Sequence, residues 1–256
     1  MVKPTVPQYG RLSARDYTAK INSPSRSPEY FVRFHAPLIE AVKARVAPDR
    51  KVRLLDVACG HGDELAFFAT DPRVHIIGVD VSRETIEHST RVRFSTAELI
   101  LADVSDIPKG GIVVPNSVHV GIAVNAVVYK PYDILAALYY ALQPGAKCAV
   151  NFRVFENPRN RPFYDYYVAD GKGGVLSDQE VVFKAGSKSF VLKVLDYNGF
   201  VDPQIRSLDR QVYFQDVVDI VRLIELAGFR AISREPFRFA SPANPDNEID
   251  VFTIQK

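Results

Sequence analysis

Apolar and polar positions along this chain follow two alternating periods, and the changes of period mark out its elements. From Pro28 to Val46 the apolar residues Phe31, Phe34, Leu38, Ile39, Val42 and Val46 recur at helical spacing, and Pro48 stops the run. Val52–Val57 then reads as a buried strand, Asp63–Thr70 as a helix and Val74–Val79 as a second strand. Arg83–Arg93 reads as a helix capped by Ser82. Glu98–Leu101 and Ser117–Val124 are the third and fourth strands. Tyr132–Leu142 is a helix ended by Pro144-Gly145, and Ala146–Phe152 is the fifth strand. Strands alternating with helices predict a doubly wound α/β fold, a mostly parallel sheet covered on both faces.

The alternation breaks after residue 152. Glu180–Ala185, Ser189–Tyr197 and Gln204–Tyr213 read as strands joined by turns rich in Gly and Pro, a small antiparallel insertion. Helical spacing returns at Gln215–Ala227 with Gly228 at its C-cap, and Phe229–Glu235 and Ile249–Ile254 complete a seven-stranded sheet. Three segments follow: an arm and helix (1–50), a core (51–152 and 211–256) and an insertion (153–210).

Composition narrows the class. With 256 residues and 47% hydrophobic content the chain can bury a full core. The apolar stretch Val118–Val128 is too short to span a bilayer and is interrupted by His119 and Asn125, so no membrane partner is expected. The N-terminal residues lack the apolar segment of a secretory signal. Cys59 and Cys148 are the only cysteines and suggest neither a disulfide framework nor a metal site, so a cytoplasmic protein is expected. The net charge of +2 hides an asymmetry: residues 1–53 carry 11 Lys and Arg against 4 Asp and Glu. That basic arm suits an acidic substrate, a nucleic acid or a cofactor carboxylate; equally, it suits a solvated helix face.

The informative segment is LLDVACGHG, Leu54 to Gly62, at the end of the first strand. Gly60 and Gly62 allow a sharp turn and close approach to a ligand, and a helix following the loop would add amide donors. Asp80 ends the second strand, where a carboxylate can accept from both hydroxyls of a ribose. Asp103 ends the third, placed to accept from an exocyclic amine. A nicotinamide dehydrogenase is disfavoured: its G-x-G-x-x-G fingerprint needs a small residue where Leu65 stands.

These residues resemble the class I S-adenosylmethionine-dependent methyltransferase family, from about Arg53 to Phe152 and again at Arg210–Phe229 and the last strand. The resemblance implies a Rossmann-like fold with S-adenosyl-L-methionine as cofactor. Asp56, Ala58, Gly60 and Gly62 would wrap its amino-acid end. Asp80 and Val81 would meet the ribose, and Asp103 and Val104 the adenine. QPGAKCAVNF resembles the family's fifth strand after a Pro-Gly turn. Ala58 replaces the usual first glycine, tolerable if its neighbours supply the flexibility. SRSPEYFVRFHAPLIEAV is similar to the segment before the core in messenger-RNA cap guanine-N7 methyltransferases, so Arg33 is expected to neutralise the cofactor's carboxylate.

Methyl transfer from a sulfonium needs positioning more than an acid–base pair, so the acceptor stays open. Asn125 to Tyr129 should floor the pocket near the methyl group. Tyr129, His119 and Tyr213 are candidate bases; His119 as a strand-edge residue and Tyr129 as a packed tyrosine are the alternatives. A small-molecule acceptor beneath an aromatic lid (Phe163, Tyr164, Tyr166, Tyr167) is favoured over RNA. A homodimer contact through the same surface and a cofactor-binding relative that transfers no methyl are also carried.

Overall fold

The computed structural model describes residues 27–92, 97–127, 130–154, 157, 159, 174–185, 188–197, 210–214, 216–241 and 244–256. Helix α1 opens as Pro28–Tyr30, passes through a π-helical stretch Phe31–His35, and continues as Ala36–Lys43. Then follow β1 (Val52–Val57), β2 (Val74–Asp80), α2 (Arg83–Val92), β3 (Glu98–Leu101), β4 (Val118–Ala123), α3 (Pro131–Ala141) and β5 (Leu142–Phe152). The insertion contributes β6 (Gly174–Ala185), β7 (Lys188–Tyr197) and β8 (Arg210–Phe214). The chain closes with α4 (Val217–Leu226), β9 (Arg230–Ser241) and β10 (Asn244–Gln255).

The main sheet has seven strands in the order β3-β2-β1-β4-β5-β10-β9. Strands β1 to β5 are parallel, whereas β10 runs antiparallel to both β5 and β9. Strand order reverses between β1 and β4, the switch point where open α/β sheets leave a crevice at the strand C-termini. Alternation along each strand feeds two cores. Leu55, Val57, Ile77 and Val79 pack toward α3 and α4 with Leu138, Ile220, Leu223 and Ile224. Leu54, Ile76, Val120 and Ile122 face the opposite way, toward Ile39 of α1 and Ile86 of α2. Each fully buried aliphatic side chain contributes about 1.5–3 kcal/mol.

The doubly wound fold and the antiparallel insertion agree with the sequence pattern, while three local features differ. The helix expected at 63–70 is absent; only a 3₁₀ turn, Leu65–Phe67, forms. Leu65 and Phe68 go into the core and Asp71-Pro72 follows at once, leaving no room for further helical turns. Strand β5 starts at Leu142 and runs through Pro144-Gly145, absorbing them in a bulge between Leu142↔Val118 and Lys147↔Val120. The second sheet, β6-β7-β8, extends to Phe214, past the expected boundary at 210. Among the described residues no helix is long and apolar enough to cross a membrane.

Candidate functional site

The loop after β1 is shaped by three left-handed residues: Ala58 (φ 58°), Gly60 (φ 53°) and Gly62 (φ 70°). Ala58 therefore adopts the unusual conformation itself, and the expectation that its neighbours supply the flexibility is corrected. The Cys59 amide donates to the Val79 carbonyl at 3.1 Å, tying the loop to β2, and Gly62 N–H closes a turn on Cys59 C=O at 2.9 Å. Around the Gly60 Cα the space is open, with nothing within 4 Å of where a Cβ would stand. A ligand can thus lie directly against this backbone.

At the end of β2, Asp80 is locked by two main-chain donors. Gly60 N–H reaches its Oδ2 at 2.9 Å and Ser82 N–H its Oδ1 at 2.8 Å. Each oxygen keeps a lone pair for a further donor, which suits adjacent hydroxyls. Ser82 Oγ in turn accepts from Thr85 N–H at 3.3 Å, capping α2. Burial pushes the Asp80 carboxyl above its ordinary value despite these bonds. Asp56, at the end of β1, is buried with no hydrogen-bond partner at Oδ2. Burial, then the charges of Glu64 and Asp80, raise its pKa well above its ordinary value.

Asp103, after β3, caps a 3₁₀ turn at Val104–Lys109 by accepting from Ser105 N–H at 2.9 Å. Lys130 grips both of its oxygens, at 2.9 and 2.6 Å. Burial alone would raise its pKa, but the bonds from Lys130 and Ser105 outweigh it and hold the carboxyl below its usual value. After β4, Asn125 takes φ 54° and is pinned by Asn151 of β5. Asn125 N–H donates to Asn151 Oδ1 at 2.8 Å, and Asn151 Nδ2 donates to Asn125 Oδ1 at 3.1 Å. Strands lie about 4.8 Å apart, so this row from Asp103 to Asn125 spans about 14 Å, the reach of a nucleoside with an amino-acid tail.

Not every expected residue joins the row. His119 is near the start of β4, at the opposite edge of the sheet, where its Nδ1 accepts from Arg53 N–H at 2.9 Å. Burial and Arg53 lower its pKa, and it performs a strand-edge role away from the loop. Arg33 turns to Glu235 at 3.0 Å instead of toward the glycine loop. Val104 is buried and Val81 is exposed beside Asp80. Tyr129 and the aromatic cluster at 163–167 lie outside the described residues; Tyr213 is on β8. Sequence reasoning missed Lys130, Asn151 and Glu64. Asn151 alone left a signal, a polar residue inside the apolar run CAVNF.

Residues 54–145 match a family profile described as a methyltransferase domain. None of the curated proteins matches the sequence. An S-adenosylmethionine-dependent methyltransferase from Methanosarcina mazei is 14% identical, with a TM-score of 0.56 over 84% of this chain and 96% of its own. A 1,6-didemethyltoxoflavin-N1-methyltransferase from Burkholderia thailandensis, solved with 1,6-didemethyltoxoflavin and S-adenosylhomocysteine, is 13% identical over 98% of this chain and 91% of its own, with TM-score 0.52. A cyclase of the same fold is 15% identical over 86% of this chain and 80% of its own, with TM-score 0.50. Residues 54–145 thus match a methyltransferase domain, and the sheet order agrees with the fold of S-adenosylmethionine-dependent methyltransferases.

Proposed function

We propose that this enzyme binds S-adenosylmethionine across the C-terminal ends of β1 to β4 and methylates a nitrogen or oxygen of a small organic acceptor. The carrying observation is Asp80, held between the Gly60 and Ser82 amides with both oxygens still able to accept. In this reading Asp80 takes the ribose hydroxyls, Asp103 faces the adenine amine, and the open backbone at Gly60 lies under the methionine portion. The cofactor supplies a methyl group already activated on a sulfonium. The chain's own contribution is then to align the acceptor and exclude water. The Asn125–Asn151 pair fixes the backbone where β4 ends, beside the reacting centre. The insertion, which leaves the sheet after β5 at this same edge, is proposed as the acceptor-side lid.

A small acceptor is supported by the likeness in fold to the didemethyltoxoflavin enzyme. The cyclase supports a second reading, a cofactor-binding protein that transfers no methyl. Calorimetry with S-adenosylhomocysteine tests the shared part. Asp80→Ala should weaken binding by about 1.5–3 kcal/mol, the range for hydrogen bonds to a charged group. Unchanged affinity would remove the cofactor assignment. Formation of S-adenosylhomocysteine with a panel of small amines, phenols and RNA separates the readings of the acceptor.

A further inference from the structure

At the N-terminal edge of the main sheet, one arginine lacks the acceptors that a second arginine has. Arg53 lies on β1 between Val52 and Leu54, which pack toward α1, so its side chain rises on the other face. The residue is half-buried, and its Nε is shut from solvent with no acceptor. Arg73 also has a buried, unpartnered Nε, but its Nη2 donates to the carbonyls of Lys43 and Val46 at 3.3 and 3.1 Å. The Arg53 guanidinium has no such carbonyl, and among the described residues no carboxylate stands within ion-pair distance of it. The acidic groups at the neighbouring strand ends are engaged elsewhere, Asp71 by Lys43 and Glu98 by His75 at 3.3 Å. A half-buried cation without a counter-charge is destabilising, and an anion from outside would relieve it.

Two imidazoles flank Arg53. His75 is its register partner on β2. On the other side, His119 of β4 accepts the Arg53 amide on Nδ1 at 2.9 Å. That bond places the proton of the neutral ring on Nε2, so His119 presents an N–H donor and not a lone pair. Neighbouring strands lie about 4.8 Å apart, so the three basic residues start within about 10 Å of one another. Lys51, one residue before β1, is exposed and adds a further positive charge to this edge.

We propose that Arg53 and His119 form a binding site for a small oxyanion of the phosphate class, at the edge of the sheet opposite the glycine loop. The guanidinium supplies charge and a fork of N–H donors, and His119 Nε2–H supplies a donor on a second side. A tetrahedral oxyanion has acceptor oxygens for both at once. A carboxylate has two oxygens in one plane, and a guanidinium fork by itself occupies both. The carboxylate of Glu98, held by His75, repels an anion on the β2 side and leaves the β4 side, where His119 stands. The site shares no residue with the proposed cofactor site and stands independently of it.

Inorganic phosphate is the probe, titrated into the full chain at constant ionic strength while NMR follows the Arg53 amide and the five histidine rings. The Arg53 amide and the His119 ring should shift along one saturating curve, while His35 and His61, buried elsewhere in the fold, stay in place. Arg53→Met keeps the aliphatic stem and should weaken phosphate by at least about 10-fold; His119→Phe should weaken it by about 3–10-fold. Arg53→Lys should fall between wild type and Arg53→Met, because it keeps the charge without the fork. Acetate should bind at least about fivefold more weakly than phosphate. A single cooperative denaturant transition reports that each variant folds. The site is overturned if no saturating shift develops by about 50 mM phosphate. Equal phosphate affinity in wild type and Arg53→Met also overturns it, as does acetate binding as tightly as phosphate.

Discussion

The two edges of the main sheet use similar residue types in opposite ways. At the N-terminal edge side chains close several backbone carbonyls and amides, although the buried Nε of Arg53 and of Arg73 has no partner. Lys256 Nζ donates to Asn116 Oδ1 at 2.7 Å and to the carbonyls of Leu142, at 2.8 Å, and Tyr139, closing the end of α3. Arg73 holds the carbonyls of Lys43 and Val46 after α1, at 3.3 and 3.1 Å, and His119 takes the Arg53 amide. At the C-terminal edge, Asp56 has an oxygen with no donor, Asp80 has lone pairs to spare, and three loop residues sit at positive φ. One edge spends its side chains on backbone groups; the other leaves carboxylate oxygens open beside a bare stretch of backbone. That division also explains why His119, a histidine on a central strand, lies away from the glycine loop.

Spare capacity carries a stability cost, and His35 is where it should be largest. Its Nε2 is buried without a partner, and burial lowers its pKa from the ordinary value of 6.5 to about 3. A depressed folded value means that the stabilisation is complete above the unfolded pKa and is lost as pH falls toward the folded one. Asp56, with its raised value, acts in the opposite sense, gaining stability as pH falls. The informative quantity is therefore the slope of stability against pH in wild type and in His35→Phe. Between pH 7 and 4 the variant should lose less stability than wild type by about 2–4 kcal/mol. Denaturant titrations at several pH values measure it, and parallel slopes would mean that His35 is not held neutral.

The N-terminal edge makes the converse prediction. Lys256→Met keeps the aliphatic stem and removes the three donated bonds. The site is partly exposed, so the loss is screened and should come to about 1–2 kcal/mol of unfolding free energy. Affinity for S-adenosylhomocysteine should stay within about twofold of wild type. A loss of affinity without a loss of stability would mean that the two edges are not independent.

The sequence pattern reached the sheet and the row of strand-end carboxylates because both depend on local periodicity. Alternation in Val52–Val57 and Val74–Asp80 fixes which residues are buried, and chain direction then fixes Asp80 and Asp103 at one edge. The same rule places His119, the second residue of β4, at the other edge. Arg33 and Tyr30 were harder to tell apart. The π-helical stretch Phe31–His35 shifts the phase of the helix, so a period of 3.6 does not say which residue faces inward. The helix expected at 63–70 failed for a tertiary reason: Leu65, Ala66 and Phe67 favour helix locally, but burial of Leu65 and Phe68 decides the backbone there. Glu64 gave no signal at all, since a buried glutamate looks like any other in a helix-forming segment.

The smallest expected effect concerns the shape of the loop itself. Ala58 has φ 58°, which for a residue with a Cβ costs about 1–2 kcal/mol. Glycine removes that strain but adds about 0.5–1 kcal/mol of chain entropy to the unfolded state. Ala58→Gly should therefore stabilise the protein by about 0.5–1 kcal/mol, read as a higher denaturant midpoint with an unchanged slope. The Ala58 methyl also packs partly against the core beneath the sheet, so its removal works against the gain. Cofactor affinity should change little, because the Cys59 and Gly60 amides remain tied to Val79 and Asp80. A destabilised Ala58→Gly would mean that the methyl contact outweighs the strain. The C-terminal edge would then be braced by packing as well as by hydrogen bonds, and its distinction from the N-terminal edge would narrow to the unpartnered oxygen of Asp56 and the free lone pairs of Asp80.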